Sequence, residues 1–410
     1  MSDTIHIEDL WHPTFSPEVN EMLAGMAVLA DECPLDAGRL HRQAAEETGL
    51  TDFGPRDYEE RLGVLLEALG EVERVTPAGQ VVFYSQVLQL LRNRLLFTDL
   101  LTRHPQIHGV ELTPPIVIVG LPRTGTTHLH NMLATDPALR SLPYWESLEP
   151  IPMPAEVGVV PDPRRQRTDA GLWFLNQAMP LFPLMHEMTT DHVHEEIQLL
   201  AIDFSTMFFE TLAPLPNWEA YYSTHDQTPH YRFLRTMLQA LQFTRGGDRW
   251  VLKSPQHLEQ LPVLAEVFPG ATVVVTHRDP VDVVVSMATM VAYTARMYTD
   301  EVDAEKLGRT WADRIDDLLT ACLRDREVWP AERSVDVRFD DFMADQLTTV
   351  RSIYELAGQP FDAAARVAME AYLAEHRRGR LGSIDYRAGQ VGLDREDLRK
   401  RFAPYVERFL

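Results

Sequence analysis

The chain has 410 residues, of which 45% are hydrophobic and 24% charged, so it is long enough to bury a large globular core. Its formal net charge of −23 argues against nucleic acid, anionic membrane surfaces and polyanionic acceptors as partners, because each of these needs a basic face. Cys33 and Cys322 are far apart in the sequence and have no metal-binding spacing, so neither a zinc site nor a disulfide framework is predicted.

The N-terminal segment has none of the features of a targeting sequence. Residues 1–8 contain no basic flank followed by an apolar run. No stretch of the chain approaches the length of a membrane span. We therefore expect a cytoplasmic protein without an integral membrane segment.

Residues 1–112 are predicted to form a helical N-terminal region. Helical periodicity is clear in Ala37–Thr48, in residues 58–69 and in residues 80–102, where leucines recur every three or four positions. This region contains no group of residues suited to catalysis. We expect it to supply packing or a surface for a homo-oligomer.

Residues 113–410 have the pattern of an α/β domain. Short β-branched runs predict strands at residues 116–119, 250–253, 272–276 and 335–339, with helical patterns between them. This alternation indicates a parallel sheet flanked by helices. Residues 141–248 form a long insertion rich in methionine and aromatic residues, a composition typical of a core and also of a ligand cavity.

The first predicted strand leads through a glycine-rich turn into a helix that begins at Thr126. Gly120 and Gly125 have the spacing of the nucleotide P-loop, but Thr126 occupies the position of its lysine, and Arg123 lies within the loop instead. Backbone N–H groups in such a loop, together with a helix N-terminus, bind phosphates. The shifted cation argues against ATP or GTP and favours another phosphorylated ligand. Packing alone would also account for a glycine-rich turn.

A second motif follows the third predicted strand. Arg278 lies at the end of this strand, and Ser286 follows eight residues later on a predicted helix that begins near Pro280. An arginine provides a bidentate fork for a phosphate, and a serine hydroxyl adds a neutral donor. The alternative is an arginine that caps a neighbouring helix and a serine in a helix groove.

Together these motifs resemble the sulfotransferases that use 3′-phosphoadenosine 5′-phosphosulfate (PAPS). The family's 5′-phosphosulfate loop, Pro-Lys-Ser-Gly-Thr-Thr, is similar to residues 122–127, Pro-Arg-Thr-Gly-Thr-Thr. Its 3′-phosphate motif is Arg-x-Pro with a serine eight residues after the arginine, which Arg278 and Ser286 match. Its Arg-Lys-Gly-x-x-Gly element is similar to residues 377–382. The resemblance covers about residues 112–410 and is closer to a broad bacterial branch of the family.

The resemblance implies a P-loop-like three-layer α/β fold with a central parallel sheet, PAPS as co-substrate and no metal. It also implies a set of cofactor-binding residues: Arg123, Thr124, Gly125, Thr126, Thr127, His128, Arg278, Ser286, Phe339, Arg377, Arg378 and Gly379. Two positions depart from the family pattern. Arg123 replaces the usual lysine, and His128 lies where family members often carry a tryptophan against the adenine.

The resemblance also predicts the catalytic residues and the class of acceptor. The insertion at residues 141–248 lies where the fold builds its acceptor cavity, so the predicted acceptor is a hydroxyl of an apolar small molecule or lipid. Arg123 and Lys253 would stabilise charge on the leaving 5′-phosphate. We favour His257 as general base, because an imidazole titrates near neutral pH and this one follows Lys253 closely. The family's histidine lies two positions earlier, and Glu195 is the alternative base.

Glu195 belongs to a dense cluster of titratable residues at positions 191–196. His192, His194 and Glu196 suggest a metal site, but ligands at alternate positions require a strand, and residues 197–200 have a helical pattern. A helix start with acidic residues near its N-terminus is the other interpretation.

Three rival functions remain open at this point. A P-loop kinase acting on a small molecule would need a lysine after Gly125 and a magnesium-binding aspartate after a strand, and neither is found. A non-catalytic nucleotide-binding protein would keep the phosphate motifs but could dispense with Lys253, His257 and Glu195. A carrier of apolar ligands would use only the insertion.

Overall fold

The computed structural model describes residues 4–377 and 379–410. Its strands are β1 Thr4–Ile5, β2 Thr113–Gly120, β3 Leu139–Arg140, β4 Arg249–Lys253, β5 Thr272–His277, β6 Ser334–Arg338 and β7 Ser383–Ile384. Its first helices are α1 Pro17–Ala27, α2 Ala37–Thr48, α3 Tyr58–Gly70, α4 Pro77–Arg103, α5 Thr126–Leu133, α6 Tyr144–Leu148, α7 Pro163–Ala178, α8 Phe182–Met185, α9 Ile197–Ala201 and α10 Pro216–Thr224. The remaining helices are α11 Thr228–Arg245, α12 Leu261–Val267, α13 Pro280–Thr294, α14 Ala304–Asp325, α15 Phe339–Ala344, α16 Gln346–Ala357, α17 Ala363–Glu375, α18 Arg395–Arg401 and α19 Ala403–Phe409.

The centre of the molecule is a parallel sheet covered on both faces. Within the described residues, five strands pair in the order β3-β4-β2-β5-β6. Alternate residues of β2 point to opposite faces: Ile116 and Ile118 pack against residues of α5, α16 and α17, whereas Val117 and Val119 belong to the cluster that includes α13 and α14. Burial on both faces explains why this strand is an unbroken β-branched run.

The predicted α/β fold with a central parallel sheet is confirmed. Two details of the strand prediction are wrong. Phe339, predicted as the last strand residue, is instead the first residue of α15, because β6 ends at Arg338. The two-residue strands β1, β3 and β7 were not predicted, because two residues carry no periodic signal.

The strands β2, β4, β5 and β6 all point their carboxyl ends to the same edge of the sheet. In the strand register, Gly120 lies opposite Thr276, and His277 lies opposite Arg338. Parallel α/β sheets bind ligands at this edge. The glycine-rich turn, Lys253 and Arg278 therefore come together, although long segments of chain separate them.

The N-terminal helices and the insertion share a buried cluster with one face of the sheet. Leu91 of α4, Trp218 of α10 and Val273 of β5 all belong to it. The predicted boundaries at residue 112 and at residues 141–248 stay predictions. Of the helices in the described part of the chain, none is both long enough and apolar enough to cross a membrane.

A buried carboxylate joins the N-terminal helices to the insertion. Asp203 Oδ1 accepts hydrogen bonds from Arg61 of α3 at 3.1 Å and from Arg94 of α4 at 2.7 Å, and its Oδ2 lies 2.6 Å from Nδ1 of His230 on α11. Burial alone would raise the pKa of the Asp203 carboxyl, but the hydrogen bond from His230 and the charges of both arginines outweigh it and lower the pKa. The carboxylate therefore holds three helices together.

We predict that Asp203→Asn lowers the free energy of unfolding by roughly 3–5 kcal/mol, because it leaves buried arginine charges without a counter-charge. Urea unfolding monitored by circular dichroism measures the loss. The control is Asp313→Asn, which removes an exposed carboxylate paired with Arg401 and should cost at most about 1 kcal/mol. Equal effects of the two substitutions would contradict the prediction.

Candidate functional site

The loop between β2 and α5 is shaped by close backbone packing. A Cβ on Gly120 would lie 2.1 Å from Thr276 Oγ1 and 2.9 Å from the Thr276 carbonyl oxygen, so only glycine fits there. Gly125 has φ +87°, in the left-handed region that glycine adopts without strain. The Thr124 hydroxyl is buried and donates to the Leu121 carbonyl oxygen at 2.7 Å. The Thr124 side chain therefore stabilises the loop from its buried side.

Two arginines that follow different strands, Arg123 after β2 and Arg278 after β5, lie close together at this loop. Arg278 Nη1 donates to the carbonyl oxygen of Arg123 at 2.7 Å, and its guanidinium lies 4.4 Å from the centre of the Phe339 ring. Arg123 Nε donates to Ser286 Oγ at 3.1 Å. Arg123 also hydrogen-bonds to the carbonyl oxygen of Met185. The motifs predicted to bind two different phosphates are thus in direct contact.

Lys253 lies between the loop and the insertion. Its side chain is 3% exposed, its Nζ is 3.4 Å from Thr127 Oγ1, and it forms an ion pair with Glu195. A buried ammonium needs such a counter-charge, because desolvation otherwise disfavours it strongly. Thr127, Lys253 and Glu195 therefore form a continuous polar chain from the start of α5 to the insertion.

The adjacent carboxylate, Glu196, points away from this chain. Its Oε2 accepts a hydrogen bond from the backbone N–H of Lys253 at 3.0 Å, and its Oε1 contacts Nε2 of His257. Burial alone would raise the pKa of the Glu196 carboxyl, but His257 and this N–H group lower it. Nδ1 of His257 lies 2.7 Å from the hydroxyl of Tyr231.

The predicted base, the His257 imidazole, lies in the core. Its side chain is 0% exposed, and both ring nitrogens are hydrogen-bonded to buried partners. His257 belongs to the 3₁₀ helix Pro255–Glu259 that follows β4, where its ring contacts Glu196. Its role as base stays a prediction. Glu195, in contrast, lines a cavity.

This cavity has a volume of about 560 Å³ and extends from the loop into the insertion. Its polar end is lined by residues of the loop and by charged neighbours: Pro122, Arg123, Gly125, Thr126, Thr127, His128, Glu195 and Arg278. The rest of its wall is largely apolar and comes from the insertion, α13 and α14: Leu172, Leu175, Met179, Phe182, Met188, Met207, Phe208, Leu212, Met287, Met290, Val291 and Trp311. A wall of this kind suits a largely apolar ligand with one polar group.

A second cavity of about 590 Å³ adjoins the first and shares Gly125, His128 and Phe339 with it. Arg377 lines its outer end. The His128 ring is held by the Gln346 side chain, with Nε2 to Oε1 at 3.1 Å, and burial lowers the pKa of this imidazole.

The basic C-terminal segment lies only partly within the structure. Gly379 has φ +75°, and the following Arg380 forms an ion pair with Glu187 of the insertion. Arg378, which was predicted to bind the cofactor, lies outside the described residues. The predicted roles of Arg377 and Gly379 stay predictions.

A family model described as Sulfotransferase family matches residues 114–363, which is more than half of the chain. The chain belongs to the sulfotransferase family. The family predicted from the loop and from the Arg278 motif is confirmed.

Relatives of this sulfotransferase come from mycobacteria. Omega-hydroxy-beta-dihydromenaquinone-9 sulfotransferase Stf3 of Mycobacterium bovis is 26% identical over 279 residues, which are 64% of this chain and 67% of Stf3. The crystal structure of sulfotransferase STF1 from Mycobacterium tuberculosis H37Rv has 30% identity and a TM-score of 0.78 over 90% of this chain and 98% of STF1. The crystal structure of sulfotransferase STF9 from Mycobacterium avium has 28% identity and a TM-score of 0.81 over 91% of this chain and 96% of STF9. The predicted P-loop-like sulfotransferase fold is confirmed.

Several residues of this sulfotransferase site were missed in the sequence. Tyr386 Oη accepts from Arg123 at 3.4 Å, and Gln346 holds His128, yet both lie far along the chain from their partners. Tyr144 and His186, both in the insertion, line the first cavity. No local motif marks these positions, so only contact in three dimensions identifies them.

We predict that Gly120→Ala destabilises the protein by roughly 1–3 kcal/mol, because the added methyl group overlaps Thr276. Thermal and urea unfolding measure the change. The matched control is Gly63→Ala in α3, where a Cβ meets nothing within 4 Å; there alanine should stabilise the helix by about 0.5–1 kcal/mol. The prediction fails if both variants unfold like the parent.

Proposed function

We propose that this sulfotransferase transfers a sulfuryl group from PAPS to a hydroxyl of an apolar small molecule or lipid. The observation that carries the proposal is the polar chain Thr127–Lys253–Glu195 at the end of the cavity that extends into the insertion, beside the loop. It combines a phosphate-binding loop, a buried cation and a carboxylate at the end of a largely apolar cavity. Those are the groups that this reaction requires.

The donor would bind along the shared edge of the two cavities. The left-handed Gly125 and the start of α5 present backbone N–H groups suited to the 5′-phosphosulfate. Arg278 and Ser286 are suited to the 3′-phosphate, because Arg278 combines a bidentate fork with a fixed position over Phe339. The second cavity, with His128 and Phe339 in its wall, would receive the adenosine. Arg377 and Gly379 complete the predicted set on its outer side.

In the proposed reaction, the acceptor hydroxyl loses its proton to Glu195 as its oxygen attacks sulfur. The bond between sulfur and the 5′-phosphate oxygen breaks, and adenosine 3′,5′-bisphosphate leaves with the electron pair. Lys253 and Arg123 stabilise the negative charge that develops on the leaving phosphate. Catalysis thus depends on positioning and on preorganised charge.

We propose Glu195 rather than His257 as the base, because the base must be accessible from the cavity that would hold the acceptor. Glu195 lines the cavity, whereas His257 is sealed between Glu196 and Tyr231. His257 becomes a positioning residue in this mechanism, since it anchors Glu196, which holds the Lys253 backbone. A base must come within hydrogen-bond distance of the proton that it removes.

The apolar wall supports a largely apolar acceptor. A cavity of about 560 Å³ lies within the range of roughly 300–1,000 Å³ that is usual for small-molecule sites. The relative Stf3 is an omega-hydroxy-beta-dihydromenaquinone-9 sulfotransferase, and a hydroxylated dihydromenaquinone is a lipid alcohol. A lipid or a comparably apolar alcohol is therefore the acceptor class that we propose.

For the cofactor, we predict that Arg278→Ala weakens binding of adenosine 3′,5′-bisphosphate by roughly 10- to 150-fold, because a charge-assisted hydrogen bond contributes about 1.5–3 kcal/mol. Calorimetry with the bisphosphate and with AMP measures the effect. The loss should be much smaller for AMP, which has no 3′-phosphate. Arg232→Ala, which removes an exposed arginine paired with Glu266, serves as control. If the Arg278 variant prefers the bisphosphate over AMP as strongly as the parent, the assignment is wrong.

For the base, we predict that Glu195→Gln lowers turnover by roughly 10²–10⁴-fold while the protein still binds the bisphosphate. Turnover is followed with labelled PAPS and a panel of apolar alcohols. Glu266→Gln, at an exposed carboxylate, should leave turnover unchanged.

The comparison variant is His257→Gln, which should act mainly on stability by leaving the Glu196 carboxylate without its imidazole partner. A folded His257 variant that loses turnover, beside a Glu195 variant that keeps it, would reverse the assignment of the base.

A further inference from the structure

We propose that His186, His192 and His194 bind a divalent transition-metal ion at the wall of the cavity that extends into the insertion. One ring nitrogen from each of these residues can be chosen so that all three atoms lie within 4.8 Å of one another. Three imidazoles with a fourth position open form a common ligand set for zinc in proteins.

Extended backbone brings two of these rings together. Val193 forms an antiparallel bridge with Pro143, and His194 N–H donates to the Leu142 carbonyl oxygen at 2.7 Å. Residues at alternate positions of an extended segment point to the same side. His192 and His194 therefore have the extended geometry that metal ligands at alternate positions require.

The ligand set differs from the one that the sequence suggested. Helix α9 begins only at Ile197, so its helical pattern does not extend back over His192 and His194. Glu196 is not a member, because its carboxylate is held by His257 and by the Lys253 backbone. The third member is His186, which follows α8 and has no spacing relation to the other two.

Within the described part of the chain, the ring nitrogens of these histidines have no hydrogen-bond partner. Among the residues that the structure describes, none of these imidazoles forms a side-chain hydrogen bond, and Nδ1 of His194 is buried without a partner. A buried polar atom without a partner costs roughly 1–3 kcal/mol. A metal ion would satisfy one nitrogen of each ring.

The electrostatic surroundings are compatible with a cation. Imidazole binds a metal ion in its neutral form. Lys253 would repel an ion, but Glu195 compensates its charge.

The donor set indicates the kind of ion. Nitrogen ligands suit Zn²⁺ and related transition-metal ions, whereas Mg²⁺ and Ca²⁺ prefer oxygen. Zinc–nitrogen bonds of about 2.1 Å place tetrahedral ligand atoms roughly 3.4 Å apart, so small ring rotations would close the site. His186 and His194 line the cavity, and the remaining coordination position would therefore be open to water or to a polar group of a cavity ligand.

The test is a titration of the metal-free full-length protein with Zn²⁺ by calorimetry and with Co²⁺ by visible absorption, without PAPS or acceptor. We expect one ion per chain, the d–d absorption of four-coordinate Co²⁺, and no competition from Mg²⁺. Alanine substitution at His186, His192 or His194 should weaken binding by more than the roughly 10–100-fold that loss of an outer-shell partner costs. His108→Ala, at an exposed histidine, should bind like the parent.

Glutamine substitutions at the same positions preserve side-chain volume, and thermal unfolding verifies that each variant is folded. Zn²⁺ should raise the melting temperature of the parent but not of these variants. The proposal is overturned if the parent binds no stoichiometric ion, or if the folded variants bind Zn²⁺ as tightly as the parent. Either result leaves the proposed sulfuryl transfer unaffected, because Glu195 and Lys253 are not ligands and no PAPS is present.

Discussion

The buried ammonium of Lys253 is the constraint around which the site is organised. It lies at the carboxyl end of a central strand, where its charge is removed from water and must be balanced locally. The insertion supplies this balance with adjacent carboxylates. Glu195 pairs with the ammonium, and Glu196 binds the backbone N–H of the same lysine. The insertion is thereby fixed to the sheet next to the loop.

This double attachment explains why adjacent glutamates have different surroundings. Glu195 and Glu196 lie where the chain passes from extended backbone into α9, and their side chains have different partners. Glu195 reaches the cavity, while Glu196 enters the core and meets His257. The same extended backbone presents His192 and His194 on one side. The proposed base, the supporting carboxylate and two of the three proposed metal ligands therefore lie within a few residues of one another in the chain.

A strongly acidic protein also has to build a cationic site. Its net charge of −23 coexists with Arg123, Lys253 and Arg278, which are gathered at one edge of the sheet. Parallel strands make this possible, because residues at their carboxyl ends lie side by side. Phe339 adds an aromatic face beneath Arg278 and belongs to the walls of both cavities. In the proposed reaction, the donor would lie along this edge and the acceptor would approach from the insertion.

Four strands of the sheet, the glycine-rich loop and the family were predictable from the sequence alone. The β-branched run before Gly120, the glycine spacing and the Arg278–Ser286 interval are local patterns, and local patterns reflect backbone requirements that hold in any context. The folded structure was needed to show that Glu195 lines the cavity and that His257 does not. It was also needed to show that His186 lies beside His192 and His194. Those outcomes depend on contacts between residues distant in the chain, such as Glu196 with His257, and on which side chain each turn directs into the core.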